Sequence, residues 1–128
     1  MRVLKNKPFS QWAKKLRISD STLVAAINEM TQGLYEASLG AHIYKKRLAL
    51  GNKGKSGGAR TIIAFKVGDK AIFIYGFSKG EKSNITQKEE DGLKDLAKVY
   101  LGYSEDQINM AIKNGVLIEV QTNEKINS

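Results

Sequence analysis

Two runs of β-branched and aromatic residues lie almost end to end in the middle of the chain, and they constrain the fold more than any other feature. The first is Arg60-Thr61-Ile62-Ile63-Ala64-Phe65-Lys66-Val67, and the second extends from Lys70 to Phe77. Only Gly68-Asp69 separates them, a pair typical of a two-residue hairpin turn. The pattern therefore predicts two antiparallel strands.

A third strand is predicted before this hairpin, over Ala41 to Leu50, where hydrophobic and polar residues alternate. The alternation places Ile43, Lys45, Arg47 and Ala49 on one face and His42, Tyr44, Lys46 and Leu48 on the other. The segment from Gly51 to Gly58 is rich in Gly, Lys and Ser and predicts a flexible loop. Three consecutive antiparallel strands would then form the middle of the sheet.

Helices are predicted on both sides of these strands. Met1 to Lys5 reads as a short first strand, and Pro8 suits the first turn of a following helix. Ser19-Asp20-Ser21 offers N-caps for a second helix, so the two helices predict a helical hairpin. Their apolar faces are formed by Phe9, Trp12, Ala13 and Leu16, and by Leu23, Val24, Ile27, Met30 and Leu34.

Two further helices are predicted in the C-terminal part, each beginning with a capping-box pattern. These patterns are Thr86-Gln87-Lys88-Glu89 and Ser104-Glu105-Asp106-Gln107. Gly115 would end the last helix, followed by a short strand from Val116 to Val120 and a tail over residues 121–128. We therefore expect an α+β fold in one domain: an antiparallel sheet of about four to five strands, packed against the N-terminal helical hairpin, with C-terminal helices.

The charge distribution points to the kind of partner. The chain has 128 residues and a formal net charge of +8, and such an excess favours nucleic acid, an anionic membrane or an acidic protein. Between Ala37 and Gly68 there are seven Lys and Arg residues and no Asp or Glu. The absence of cysteine, of an apolar signal region and of about 18 consecutive apolar residues predicts a cytoplasmic protein that does not enter membranes.

Several familiar sites can be set aside from the sequence. Gly54-Lys55-Ser56 looks like the end of a phosphate-binding loop, but Ala49 stands where that motif needs glycine, and a strand follows instead of a helix. His42 is the only histidine, which excludes a pair of catalytic histidines. Glu89-Glu90-Asp91 is typical of a solvated helix face, so we expect no metal and no cofactor.

A group of cations is the remaining candidate for a site. Cations near one end of the three strands would meet phosphates together with the Gly-rich loop, whereas Lys46, Lys66 and Lys70 read as ordinary solvated surface. Tyr44, Tyr75 and Phe77 would either stack on unpaired bases or belong to the core, and for Phe77 the core is favoured. The candidate cations are Lys45, Arg47, Lys53, Lys55, Arg60, Lys79 and Lys82.

Two segments give the chain a resemblance to a known family. Lys55-Ser56-Gly57-Gly58-Ala59-Arg60 and Tyr75-Gly76-Phe77-Ser78-Lys79, in this order of strands and helices, resemble the RelE/ParE superfamily of toxins, and most of all its HigB-like branch. The resemblance covers about residues 2 to 102, and the last helix and strand extend it to a toxin domain over residues 1–120. It implies an endoribonuclease that cleaves mRNA, often on the ribosome, and a cognate antitoxin with an acidic segment or a helix-turn-helix.

The resemblance also implies roles for single residues. Lys45 and Arg47 match a basic pair on the family's second strand, and Arg60 matches the arginine that opens the family's third strand. Lys82 lies near the position of a cation that follows the family's fourth strand. The chain departs from members that use a C-terminal Tyr or His as acid or base, because Val116 to Val120 carries neither.

The residues suit cleavage by in-line attack of the RNA 2′-OH, with Arg60 stabilising the phosphate charge. Lys45 or Lys55 would act as base or acid, Lys79 or Lys82 would lie on the leaving-group side, and Tyr75 would assist. Arg47, Lys53, Lys79 and Tyr75 would contact RNA. Two alternatives stay open: a non-catalytic, ParE-like inhibitor of DNA gyrase, and a simple nucleic-acid-binding module.

Overall fold

The computed structural model describes residues 1–50 and 58–121. Its strands are β1 (Arg2–Asn6), β2 (Ala37–Gly40), β3 (Ile43–Leu48), β4 (Ala59–Lys66), β5 (Lys70–Ser78) and β6 (Leu117–Glu119). Its helices are α1 (Lys7–Lys15), α2 (Asp20–Thr31), α3 (Gln87–Leu101) and α4 (Glu105–Lys113). The predicted loop 51–57 and all but the first residue of the predicted tail lie outside the described residues.

The sheet has six strands in the order β2-β3-β4-β5-β1-β6. The three middle strands β3, β4 and β5 are antiparallel, as the sequence predicted. The expectation of a purely antiparallel sheet is wrong, because β1 pairs with β5 in parallel. The count of four to five strands is also too low. The additional strand is β2, which the sequence analysis missed, whereas the predicted C-terminal strand is present as β6, antiparallel to β1.

The segment predicted as one strand from Ala41 to Leu50 is a hairpin with a shorter strand. Gly40, Ala41 and His42 all have positive φ, at 85°, 52° and 63°, and this left-handed turn separates β2 from β3. The turn between β4 and β5 also differs from its prediction. Lys66 pairs with Lys70, which leaves three residues in the turn, with Gly68 at φ 77°.

The two faces of the sheet carry separate hydrophobic clusters. In β4, Ile63 and Phe65 face the cluster that contains residues of α1 and α2, whereas Ile62 and Ala64 face the cluster that contains residues of α3 and α4. This alternation follows from the two-residue period of a strand. Because both faces are covered, most residues of β4 and β5 are buried.

The helices α2, α3 and α4 begin where the sequence places their caps. Ser19 accepts a hydrogen bond from the backbone N–H of Thr22 at the start of α2. Capping boxes are present at Thr86 and at Ser104, before α3 and α4. The start of α1 has an unpredicted cap, because the buried Asn6 side chain accepts from Phe9 N and donates to the carbonyl oxygen of Ile74 on β5.

Two lysines predicted as solvated surface are buried instead. Lys46 is 4% exposed and its Nζ lies 2.6 Å from a carboxylate oxygen of Glu29. Lys70 is also 4% exposed and donates to the carbonyl oxygen of Tyr103. Lys66 is exposed, as predicted. Nowhere in the described ranges is a helix long and apolar enough to span a membrane.

Candidate functional site

Strand register brings the candidate cations of β3 and β4 together on one face of the sheet. Arg47 lies opposite Arg60, and Lys45 lies opposite Ile62. On the other side of β4, Ile62 lies opposite Tyr75 of β5. Neighbouring strands are about 4.8 Å apart, so the side chains of Lys45, Arg47, Arg60 and Tyr75 form one patch. The patch is on the face of the sheet that α3 covers further along the strands.

A carboxylate lies between the two arginines. Glu36 Oε2 accepts hydrogen bonds from Arg47 Nε at 3.0 Å and from Arg47 Nη2 at 2.9 Å. Glu36 Oε1 accepts from Arg60 Nε at 3.2 Å. The side chains differ in exposure, at 44% for Arg47, 19% for Glu36 and 13% for Arg60. One glutamate thus holds two guanidinium groups from neighbouring strands.

The surrounding charges keep Glu36 ionised. Burial alone would raise the pKa of this carboxyl group, but the hydrogen bond from Arg47 and the charges of Lys45 and Arg60 outweigh burial. Its pKa is therefore below the ordinary value. Three cations face this one carboxylate, so this part of the surface stays positive.

A second group lies next to it, between the end of β5 and the start of α3. Lys82 Nζ lies 2.6 Å from Glu89 Oε2 and donates to the Tyr75 hydroxyl at 3.2 Å. The Tyr75 hydroxyl donates to the same Glu89 oxygen at 3.1 Å. Glu89 Oε1 accepts from the backbone N–H of Thr86 and closes the capping box of α3. Glu89 thus joins the site to the beginning of a helix.

The Lys82–Glu89 pair changes the pKa of both partners. The hydrogen bond from Lys82, followed by that from the Thr86 backbone, lowers the pKa of Glu89 to about 2. The same hydrogen bond, with a smaller contribution from Tyr75, raises the pKa of Lys82. Lys82 is therefore a protonated cation at neutral pH. Lys45 Nζ has a different kind of partner, the amide oxygen of Asn84, at 3.2 Å.

A comparison with protein families identifies the fold that carries this patch. The model of a family described as "RelE toxin of RelE / RelB toxin-antitoxin system" matches residues 1–120. The chain belongs to the RelE toxin family. The match includes α4 and β6, so these elements lie within the family's domain and not beyond it. No curated protein sequence matches the chain.

This membership makes the chain a toxin of a toxin–antitoxin system and implies a cognate antitoxin as its partner. The toxin's predicted site residues fall into three groups. Lys45, Arg47, Arg60, Tyr75 and Lys82 come together in the patch described above. Lys79 is exposed and, in the described part of the chain, forms no hydrogen bond or ion pair. Lys53 and Lys55 lie outside the described residues.

The other two aromatic candidates, Phe77 and Tyr44, are not exposed at the patch. Phe77 is 1% exposed, which confirms the prediction that it belongs to the core. Tyr44 packs between Tyr35 and Phe65, with ring centroids 4.8 Å and 5.9 Å away, on the face of the sheet opposite Lys45. Of the three aromatic candidates, Tyr75 is therefore the one that is placed to meet a ligand of the patch.

Sequence reasoning missed three polar residues of the candidate site. Glu36 stands one residue before the acid-free stretch, and predicting β2 would have placed it beside β3. Asn84 gave no signal. Glu89 was assigned to a solvated helix face, but its side chain pairs with Lys82. Among residues 1–50 and 58–121, no three His, Cys, Asp or Glu side chains are grouped to hold a metal ion.

Proposed function

We propose that this toxin is an endoribonuclease that cleaves mRNA without a metal ion and thereby inhibits translation. Many members of the family cleave mRNA on the ribosome. The observation that carries the proposal is the convergence of Lys45, Arg47, Arg60 and Lys82 around Tyr75 on one sheet face. These four cations outnumber the two carboxylates, Glu36 and Glu89, that form ion pairs with three of them. Such a patch suits a phosphate backbone. We also propose that the chain belongs to the HigB-like branch, which its two motif segments resemble.

The reaction would use the RNA's own nucleophile. The 2′ oxygen attacks the adjacent phosphorus, the bond from phosphorus to the 5′ oxygen breaks, and a 2′,3′-cyclic phosphate and a 5′-hydroxyl result. A base takes the 2′ proton and an acid supplies one to the 5′ oxygen. Arg60 would stabilise the phosphate charge, because a guanidinium binds two phosphate oxygens at once and lies here in a partly desolvated position.

The lysines would divide the proton transfers. Lys82 is held protonated by Glu89, so it suits the leaving-group side and not the role of base. The Tyr75 hydroxyl, hydrogen-bonded to both, would assist it. The base would be Lys45 or Lys55. Arg47, Lys53 and Lys79 would bind RNA.

The antitoxin would cover the same patch. A positive surface attracts an acidic partner by charge complementarity, and occupation of the patch would exclude RNA. We therefore propose a cognate antitoxin with an acidic segment that docks over Arg47 and Arg60, or one built on a helix-turn-helix domain. The toxin would act in the cytoplasm, where mRNA and ribosomes are found.

The test is primer extension on cellular mRNA after brief expression of the toxin. Wild type is expected to produce discrete cleavage ends, and Arg60→Ala is expected to abolish them because the developing phosphate charge loses its main partner. Removing one such group typically slows a reaction about 100- to 1000-fold. The control is Lys66→Ala, which removes a cation from the opposite end of β4. This variant is expected to cleave mRNA as wild type does.

Circular dichroism of Arg60→Ala would verify that the fold is intact. Full cleavage by a folded Arg60→Ala variant would contradict the role of Arg60. Absence of cleavage by wild type, both on free mRNA and with ribosomes, would contradict the ribonuclease proposal itself and direct attention to gyrase inhibition or to simple nucleic-acid binding.

A further inference from the structure

We propose that Glu36 is a positioning residue of this site, which orients the guanidinium of Arg60 toward the scissile phosphate of the RNA. The inference rests on the ribonuclease function proposed above and goes beyond it, because Glu36 would not touch the substrate. It would act through Arg60, and secondarily through Arg47, by fixing the direction in which their remaining N–H groups point.

The choice of nitrogen atoms supports this role. Glu36 binds Arg60 through Nε, at 3.2 Å, and not through the terminal nitrogens. A guanidinium is planar and rigid, so fixing the Nε edge fixes the direction of the whole group. Among the described residues, the two terminal nitrogens of Arg60 have no hydrogen-bond partner, so they can form the two parallel bonds that phosphate oxygens accept. Arg47 is held by Nε and Nη2, which leaves it Nη1.

Glu36 is itself anchored, as a positioning group must be. Its backbone N–H donates to the carbonyl oxygen of Lys45 at 2.8 Å. The next residue, Ala37, begins β2 and pairs with Lys45 across the sheet. Glu36 therefore extends the β2–β3 pairing by one residue, and its carboxylate is carried on the same strand pair that presents Arg47.

A different role would have a different signature. If Glu36 merely occupied the place of a phosphate as an internal competitor, its removal would speed cleavage and tighten RNA binding together. If it were only structural, its loss would weaken binding and stability together. For a positioning residue, binding and chemistry separate: removing a negative charge leaves RNA affinity unchanged or tighter, whereas the misdirected Arg60 slows cleavage.

The experiment compares Glu36→Gln and Glu36→Asp with wild type. Single-turnover cleavage is measured on mRNA in the reaction in which wild type cuts, with ribosomes if they are needed. Affinity is measured with a short RNA that carries a 2′-O-methyl group at the cleaved nucleotide. We expect Glu36→Gln to slow cleavage about 10- to 100-fold, the scale of a misplacement of about 1 Å. Its affinity should be equal to wild type or tighter, and Glu36→Asp should be intermediate in rate.

A double-mutant comparison tests whether Glu36 acts through Arg60. In an Arg60→Ala background, adding Glu36→Gln should slow any residual cleavage by less than about 3-fold, because residues that act as a unit are not additive. Glu90→Gln makes the same charge change at a glutamate paired with Lys94 on α3, and it should leave the rate unchanged.

Two results would overturn the inference. One is a cleavage rate in Glu36→Gln that equals or exceeds the wild-type rate. If Glu36→Gln does not fold, the same result in Glu36→Asp would count against the inference. The other is an equal slowing by Glu36→Gln with and without Arg60. A wild type that cuts no RNA would instead overturn the ribonuclease proposal, and the inference with it.

Discussion

At the scale of single residues, Gly76 helps to position Tyr75, the preceding residue in the chain and a member of the candidate site. A Cβ atom at Gly76 would overlap the ring of Trp12, which packs directly on this part of β5. Trp12 belongs to α1 and contacts the core cluster on that face of the sheet. The absence of a side chain at Gly76 therefore lets a helix approach the strand closely on one face while Tyr75 faces the site on the other.

Gly76→Ala is expected to destabilise the protein by about 1 to 3 kcal/mol, because an added methyl group in a packed position forces shifts of its neighbours. The measurement is the free energy of unfolding from urea denaturation. Gly92→Ala is the matched control, since nothing lies within 4 Å of a Cβ there and Ala favours the helix interior. The control should be stabilised by up to about 1 kcal/mol. Equal effects of the two changes would contradict this account.

At the scale of elements, Glu89 links α3 to the segment that follows β5. Its Oε1 accepts from the Thr86 backbone at the helix start, and its Oε2 meets Lys82 and Tyr75. The position of Lys82 in the site therefore depends on where α3 begins. A sequence pattern located the capping box, but only packing of α3 against β3, β4 and β5 brought Glu89 to Lys82.

This link predicts a pH dependence of stability. The pKa of Glu89 in the folded protein is about 2, against an ordinary value of 4.5. A lowered pKa in the folded state stabilises the protein above about pH 4.5, and the contribution is lost as pH falls toward about 2. Glu89→Gln should therefore unfold at lower urea concentration than wild type at pH 7, and the difference should shrink between these two pH values.

Asp95→Asn is the control for this measurement, because Asp95 is exposed on the same helix and makes no ion pair within the described ranges. At pH 7 it should unfold at about the same urea concentration as wild type, because an exposed substitution that removes no ion pair changes stability little. A Glu89→Gln difference that stays constant from pH 7 to pH 2 would show that Lys82 and Thr86 do not hold the ionised carboxylate.

At the scale of the whole molecule, the excess of positive charge should govern how tightly RNA binds. The formal net charge is +8, and the patch around Arg47 and Arg60 is on the surface of the middle strands. Binding of a phosphate backbone releases counterions, so affinity falls steeply as salt rises. When the logarithm of affinity for single-stranded RNA is plotted against the logarithm of salt concentration, each phosphate contact should contribute about −0.7 to the slope.

Arg47→Ala should therefore weaken binding of a 2′-O-methyl RNA and reduce this salt slope by about 0.7. Titrations between about 50 and 200 mM salt are sufficient, because the logarithm of affinity falls linearly with the logarithm of salt concentration. Lys66→Ala removes one exposed charge far from the patch and should leave the slope unchanged. An unaltered slope in Arg47→Ala would place the RNA elsewhere on the molecule.

The sequence by itself determined the elements whose signals are local. The alternation in β3, the β-branched and aromatic runs of β4 and β5, the capping boxes of α3 and α4 and the concentration of cations on these strands are all properties of short segments. The two motif segments pointed to the toxin family. These features were sufficient to predict an α+β fold and a cationic patch that contains Lys45, Arg47 and Arg60.

The tertiary structure decided what depends on pairing between distant segments. A strand pattern gives the alternation of faces but not the direction of its neighbour, so the parallel pairing of β1 with β5 could not be predicted. The short β2, after a predicted helix, had too few residues for a pattern, and with it Glu36 was missed. Cations can be read from a sequence, but the carboxylates that orient them, Glu36 and Glu89, are found only once strands and helices are packed.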